Sequence, residues 1–221
     1  MKDNFLIGAA TAAHQVEGNN IHSDYWLQEQ LPHSAFAEPS GIACDHYHRY
    51  AEDIALMQKA GLNAYRFSIE WARIEPEEGV FDDAEIEHYR DVIRCCKAHG
   101  IEPMVTLHHF TSPAWLIRKG GWEVAGVVED FRRYAAYVIT ALGAELRYVC
   151  TINEANMGFQ VAAIERRYRK MAEQAANLDS SAQVGINPTQ QMENRRQLAI
   201  ENAQVFGTPN PQVFVSSRTP A

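Results

Sequence analysis

The run LRYVCTINEAN ends an apolar, β-branched stretch on an amide and a carboxylate, Asn153 and Glu154. Three other apolar stretches end in the same manner. FLIGAATA runs out into AHQVEG, which carries His14, Gln15 and Glu17. NAYRFSI contains Arg66 and leads into Glu70 and Trp71, and EPMVTL ends on His108, His109 and Phe110. Amides, imidazoles and carboxylates beside aromatic rings suit a ligand with many hydroxyls, such as a sugar. A positioned carboxyl group among them can work as a general acid or base. Four strands that deliver such groups at the same end define a site; the same groups spread along the strands would not.

The elements that must hold these residues are legible from periodicity. The four apolar runs predict strands near residues 5–12, 63–69, 101–108 and 147–153. Helices separate them. Tyr50, Ile54, Met57 and Ala51 share one helical face. A second helix opens at Asp82 with Glu85 three residues on, a capping-box pattern, and continues through Ile86, Tyr89, Ile93 and Cys96. A third carries Phe131, Tyr134, Val138 and Leu142. Gly61, Gly100 and Gly143 fall where the helices stop, which predicts a left-handed residue closing each last turn. Strand–helix alternation with short returns implies a parallel sheet in sequential order with helical crossovers. In such proteins ligands gather at the carboxyl ends of the strands. Beyond Asn156 the pattern changes to two helical stretches and a Pro/Ser-rich end, PNPQVFVSSRTPA. There Glu165, Arg166, Arg167 and Arg169 read as a solvated helix face.

Composition narrows the function classes. The 221 residues carry a net charge of −8 with no Lys/Arg block, which argues against nucleic acid or an anionic membrane as partner. No apolar run approaches a membrane span. Asp3 and Asn4, with Gly8 and Thr11, spoil a signal-peptide reading of the first residues. Cys44, Cys95, Cys96 and Cys150 form no C-x-x-C pair, so the expectation is buried, reduced thiols in a cytoplasmic protein. No cofactor or metal is expected. In DHYHRY, Asp45 is expected to cap a helix, and His46 and His48 fall on different faces without ligand-pair spacing. A structural reading also exists for the strand-end residues: a histidine there is often only hydrogen-bonded, and a buried Arg66 often pairs with a neighbouring acid.

The motifs FLIGAATAAHQVEG, NAYRFSIEWARIEP, TLHHFTSPAWL with GGWE, and TINEAN resemble, in order, those of family 1 glycoside hydrolases, the β-glucosidase family. The resemblance covers residues 4–156 almost continuously. It implies an eight-stranded β/α barrel (TIM barrel), with this chain supplying roughly the first four β/α units as one partial-barrel domain: barrel strands and helices over 1–156, a helical excursion and tail over 157–221. It implies that Glu154 is the acid/base, that Asn153 holds the sugar 2-hydroxyl, and that Gln15 and His109 bind glycone hydroxyls. Phe110 takes the adjacent aromatic position, and Arg66 stands beside the nucleophile.

Departures from the family pattern are informative. His14 stands where many members have tyrosine, and NEAN replaces N-E-P. The T-E-N-G-type nucleophile motif of the seventh strand does not occur in these 221 residues, and a bare eightfold barrel takes about 250. Retaining hydrolysis needs two carboxyl groups about 5 Å apart. A nucleophile beside Glu154 would raise its pKa and keep it protonated as the acid. The expectation is therefore the amino-terminal half of a retaining β-glycosidase acting on O-β-glucosides, inactive until a complementary carboxyl-terminal half supplies the nucleophile. The alternative is a non-catalytic sugar-binding or self-associating half-barrel. A metal hydrolase built on His108 and His109 is disfavoured, because neighbouring strand residues point to opposite faces.

Overall fold

Strand and helix alternate along the chain as the periodicity requires, in a computed structural model that describes residues 5–34, 36–157, 164 and 166–171. Four parallel strands, β1 (Gly8–Ala10), β2 (Ala64–Ser68), β3 (Glu102–His108) and β4 (Tyr148–Ile152), pair in the order β1-β2-β3-β4. Short helices α1 (Ala13–Val16) and α2 (Asp24–Glu29) and the long α3 (His46–Lys59) link β1 to β2. Helices α4 (Trp71–Ile74) and α5 (Asp83–Ala98) link β2 to β3, and α6 (Ala114–Arg118) and α7 (Val127–Leu142) precede β4. This unit comprises Met1–Lys119 with Gly126–Asn153; Gly120–Ala125 and Glu154–Ala221 form a second unit.

The core lies between the sheet and the long helices. Tyr65, Phe67, Val105 and Leu107 of the strands are buried, as are Ile86, Tyr89, Val92, Ile93 and Cys96 of α5 and Tyr134, Val138 and Leu142 of α7. Trp71 stacks on Tyr134, with ring centroids 4.8 Å apart, and the Tyr134 hydroxyl donates to Leu107 O at 2.9 Å. Burying aromatic side chains of this size is among the largest single contributions to a core.

Several local expectations are corrected. The β1 ladder is three residues long, not eight. Its flanks are held instead by single bonds: Asn63 N–H to Ile7 O at 2.9 Å, Ile7 N–H to Asn63 Oδ1 at 2.7 Å, and Thr11 N–H to Arg66 O at 2.9 Å. A Cβ on Gly8 would stand 2.2 Å from Ala64 O, so only glycine permits this approach to β2. Gly61 and Gly100 have φ of 81° and 70°, as expected, but Gly143 does not adopt the left-handed conformation. Its φ is −60°, and α7 runs on into a 3-10 turn, Gly143–Glu145. Asp45 occupies the N-cap position of α3 without capping it. Its backbone is left-handed (φ 54°) and its Oδ1 meets His48 Nδ1 at 2.7 Å. The capping box of α5 is half made: Asp82 accepts from Ala84 N–H and Glu85 N–H, whereas the Glu85 carboxylate accepts from the Tyr47 hydroxyl. Of the face foreseen on α3, Ile54 is buried, Tyr50 and Met57 are half-buried, and Ala51 is exposed; His46 turns inward instead. The four thiols are free, but only Cys96 is buried and Cys44 is exposed.

In the second unit a 3-10 turn spans Gly121–Glu123, and Met157 N–H donates to Glu154 O at 2.8 Å. Arg166, Arg167 and Arg169 belong to an exposed helical segment over 166–171. Glu165, the second helix expected and the Pro/Ser-rich end lie outside the described residues. No described helix is long and apolar enough to cross a membrane.

Candidate active site

Arg66 sits in the middle of β2 and slants toward the carboxyl ends of its neighbours. Its Nε donates to Thr106 Oγ1 on β3 at 2.9 Å, and its Nη2 donates to Asn153 Oδ1 just past β4 at 2.8 Å. One guanidinium thus ties three adjacent strands. Among the described residues no carboxylate pairs with it, so the ion pair expected of a buried arginine is not made. The planar fork fixes the Asn153 amide: its oxygen is occupied, and its NH2 remains as a donor. Asn153 N–H also donates to His108 O at 2.9 Å, which continues the β3–β4 ladder beyond Ile152.

His108 and His109 part company at the end of β3. His108 is buried, approaches Ser112 Oγ with Nε2 at 3.2 Å, and has its pKa lowered to about 3 by burial and by the His109 imidazole. His109 is half-buried and meets Phe110 edge-on, ring centroids 5.0 Å apart. Phe110 has φ of 69° and Glu154 has φ of 47°. A left-handed conformation is costly for a non-glycine residue, and such strain concentrates at functional sites.

Within the first unit a buried polar lattice holds the loops that leave β1, β2 and β3. Glu70, 2% exposed, accepts from Asn20 Nδ2 at 2.9 Å and from Thr111 Oγ1 at 2.7 Å, while its other oxygen accepts from Ala72 N–H and caps α4. Asn20 Nδ2 also lies 3.2 Å from His14 Nδ1, and His14 Nε2 lies 2.8 Å from Glu29 Oε1. The amide group has only hydrogens to offer, so His14 Nδ1 accepts and Nε2 carries the proton toward Glu29. Glu29 Oε2 accepts from both the N–H and the hydroxyl of Ser40 at 2.9 Å. Asp24 joins the β3 loop through Ser112 N–H at 2.9 Å, and burial raises its pKa well above the ordinary carboxylate range.

Glu17 forms the second charged cluster. It accepts from Arg73 Nε at 2.9 Å and from the Tyr89 hydroxyl at 3.1 Å, and Arg73 also donates to Gly18 O. Burial pushes Glu17 up to about 7; the Arg73 guanidinium opposes this, and the nearby Glu70 carboxylate adds to it. Gln15, on α1 one residue beyond buried His14, is exposed at the same end of the sheet. Glu154 follows Asn153 directly in the chain and begins the second unit's 154–221 segment.

Sequence reasoning identified His14, Glu17 and Glu70 at the strand ends but missed Asn20, Glu29, Arg73 and Thr111, which complete their hydrogen bonds. Arg73 and Thr111, as polar residues within the apolar-rich stretches NAYRFSIEWARI and HHFTSPAWL, carried a local signal; Asn20 and Glu29 did not.

A parallel sheet wrapped by helices, with its polar side chains collected at the carboxyl ends, is the architecture of a β/α-barrel enzyme, here the first four units of the eight. The sequence model described as Glycosyl hydrolase family 1 matches residues 1–174, and the chain belongs to that family. Aryl-phospho-beta-D-glucosidase BglC of Bacillus subtilis (strain 168) is 38% identical over 163 residues, 70% of this chain and 34% of that protein. Thermostable beta-glucosidase B of Thermobispora bispora is 40% identical over 157 residues, 69% of this chain and 33% of its own length. Among solved structures, the beta-glycosidase BGL167 superposes with a TM-score of 0.73 at 53% identity, over 74% of this chain and 39% of that one. The family 1 beta-glucosidase from Thermotoga maritima does so with a TM-score of 0.68 at 33% identity, over 70% and 37%. The chain spans about a third of the length of the curated relatives it matches.

Proposed function

We propose that this chain supplies the acid/base half of a retaining β-glycosidase that hydrolyses O-β-glucosides. The observation that carries the reading is Arg66: a half-buried guanidinium at the strand ends, bound to Thr106 and Asn153 and facing no carboxylate among the described residues. A nucleophilic carboxylate is the group that such a cation would hold ionised and oriented. In this reading Glu154 protonates the glycosidic oxygen while the nucleophile attacks the anomeric carbon. The alcohol leaves and a glycosyl–enzyme ester forms. The Glu154 carboxylate then takes a proton from water as that water attacks the same carbon and releases the nucleophile. Asn153, its amide oxygen already committed to Arg66, offers its NH2 to the 2-hydroxyl, a contact that strengthens in the transition state. Gln15 and His109 bind other glycone hydroxyls beside the Phe110 ring.

The nucleophile comes from a complementary carboxyl-terminal half, carried on the same or a separate polypeptide. Exposed Phe5 and Ile7 beside β1 and exposed Val149 on β4 favour a chain that associates through its outer strands. We assign the protein to the cytoplasm, a reading supported by its four free thiols. The test is co-expression of this chain with the carboxyl-terminal half of a family member, followed by co-purification and assay on a chromogenic β-glucoside. Activity that requires both halves and disappears in Glu154→Gln supports the proposal. A co-purifying complex without activity, or a chain that ignores the second half, contradicts it.

A further inference from the structure

A cavity of about 10 Å³ lies within the first unit where β1, β2, α3 and α5 meet, and Thr11, Glu17, His46, Ser68, His88 and Tyr89 supply its polar wall. That volume suits one water molecule and nothing larger. The hydrogen bonds around it leave a particular set of groups over. Ser68, 3% exposed, accepts from Ala13 N–H at 2.7 Å, and its own hydroxyl hydrogen has no acceptor among the described residues. His46 Nδ1 lies 2.6 Å from Asp53 Oδ2, so in the neutral ring Nδ1 carries the proton and Nε2, 3.1 Å from the Tyr65 hydroxyl, accepts. Tyr65 therefore donates to His46, and Thr11 Oγ1, 2.6 Å from the same hydroxyl, donates to Tyr65 and keeps its lone pairs. The Glu17 oxygens receive Tyr89 and Arg73 and retain further accepting capacity.

We propose that this cavity is a binding site for one ordered water, which accepts a hydrogen bond from Ser68 Oγ–H and donates to the Glu17 carboxylate and to Thr11 Oγ1. Three partners are the usual number for a buried water, and the buried Ser68 and Glu17 would otherwise be left with unused polar capacity. The water joins two networks. One runs from Asp53 on α3 through His46 and Tyr65 to Thr11; the other runs from Glu17 through Tyr89 to the backbone N–H of Glu70. Together they connect the outer helix layer to the buried polar lattice of the first unit. The water also hydrates Glu17, whose burial would otherwise be opposed only by Arg73 and Tyr89.

The test uses the chain, alone or with the completing half, and does not depend on activity. A crystal structure is expected to place a water about 2.7–3.2 Å from Ser68 Oγ, Glu17 and Thr11 Oγ1. In solution, Ala13 N–H is expected to show a cross-relaxation peak with a long-lived water. Thr11→Val keeps the shape but removes one acceptor, and should weaken that peak severalfold without changing the circular dichroism. An empty cavity, a Ser68 hydroxyl that bonds directly to protein, or a peak unchanged by Thr11→Val would overturn the assignment.

Discussion

Replacing Glu75 by leucine should destabilise the first unit more than any exposed substitution. Its side chain is completely buried and accepts three hydrogen bonds: from Arg133 Nη2 at 2.6 Å, Gly79 N–H at 2.7 Å and Trp71 Nε1 at 2.8 Å. Leucine fills similar space but leaves the last two donors without this acceptor, each costing about 1–3 kcal/mol. Arg133 is a third exposed and keeps Asp130 Oδ1 at 3.0 Å, so its loss counts for little. The sum is about 2–6 kcal/mol. With a urea dependence of about 2 kcal/mol per molar, the midpoint should fall by roughly 1–3 M, or the cooperative transition should vanish. Glu75→Gln retains one acceptor oxygen and should cost about 1–3 kcal/mol. Tryptophan fluorescence provides the assay, because Trp71 donates to the Glu75 side chain and Trp115 Nε1 donates to its carbonyl at 2.8 Å. Equal midpoints for wild type and Glu75→Leu would refute the reasoning, since they would mean that the buried donors find other partners at no cost.

The folded-state pKa of Glu17, about 7 against an ordinary 4.5, means that its protonated form favours folding. Its contribution is therefore fully present below about pH 4.5 and lost as pH rises through 7; urea titrations from pH 5 to 8 should show this decline, on the order of 3 kcal/mol at most, and Glu17→Gln should flatten it. Gly8→Ala should loosen the β1–β2 pairing by about 1–3 kcal/mol, because the new methyl meets Ala64 backbone 2.2 Å away; hydrogen exchange at Thr11 N–H reads the opening directly. Arg66→Lys cannot reproduce the fork to Thr106 and Asn153, and in the completed enzyme it should lower kcat by about 10²-fold with a smaller change in KM.

The sheet, its order and the long helices were legible because each rests on a short-range pattern. Ile86, Tyr89, Ile93 and Cys96 repeat with the helical period, and glycine at 61 and 100 marks a chain reversal that few other residues permit. Arg66 within one apolar run and Asn153 closing another were legible as polar residues, and the two do meet. What escaped was set by contacts distant in sequence. Nothing local to Asn20 indicates that Glu70, fifty residues on, requires its amide, or that Glu85 will meet Tyr47 rather than complete a capping box. Gly143 has the residue type of a helix stop, but α7 instead tightens into a 3-10 turn that carries Glu145 to the Arg90 guanidinium at 2.8 Å.

The acid/base role proposed for Glu154 is tested most directly by leaving-group dependence. In the completed enzyme, Glu154→Gln should be compared with wild type on an alkyl β-glucoside and on a dinitrophenyl β-glucoside. The alkyl leaving group needs a proton and the dinitrophenolate does not. For the glycosylation step, measured as kcat/KM, the account predicts a loss of about 10²–10⁴-fold with the alkyl substrate and little loss with the activated one. Equal losses on both substrates would contradict it, and would place the acid elsewhere than Glu154.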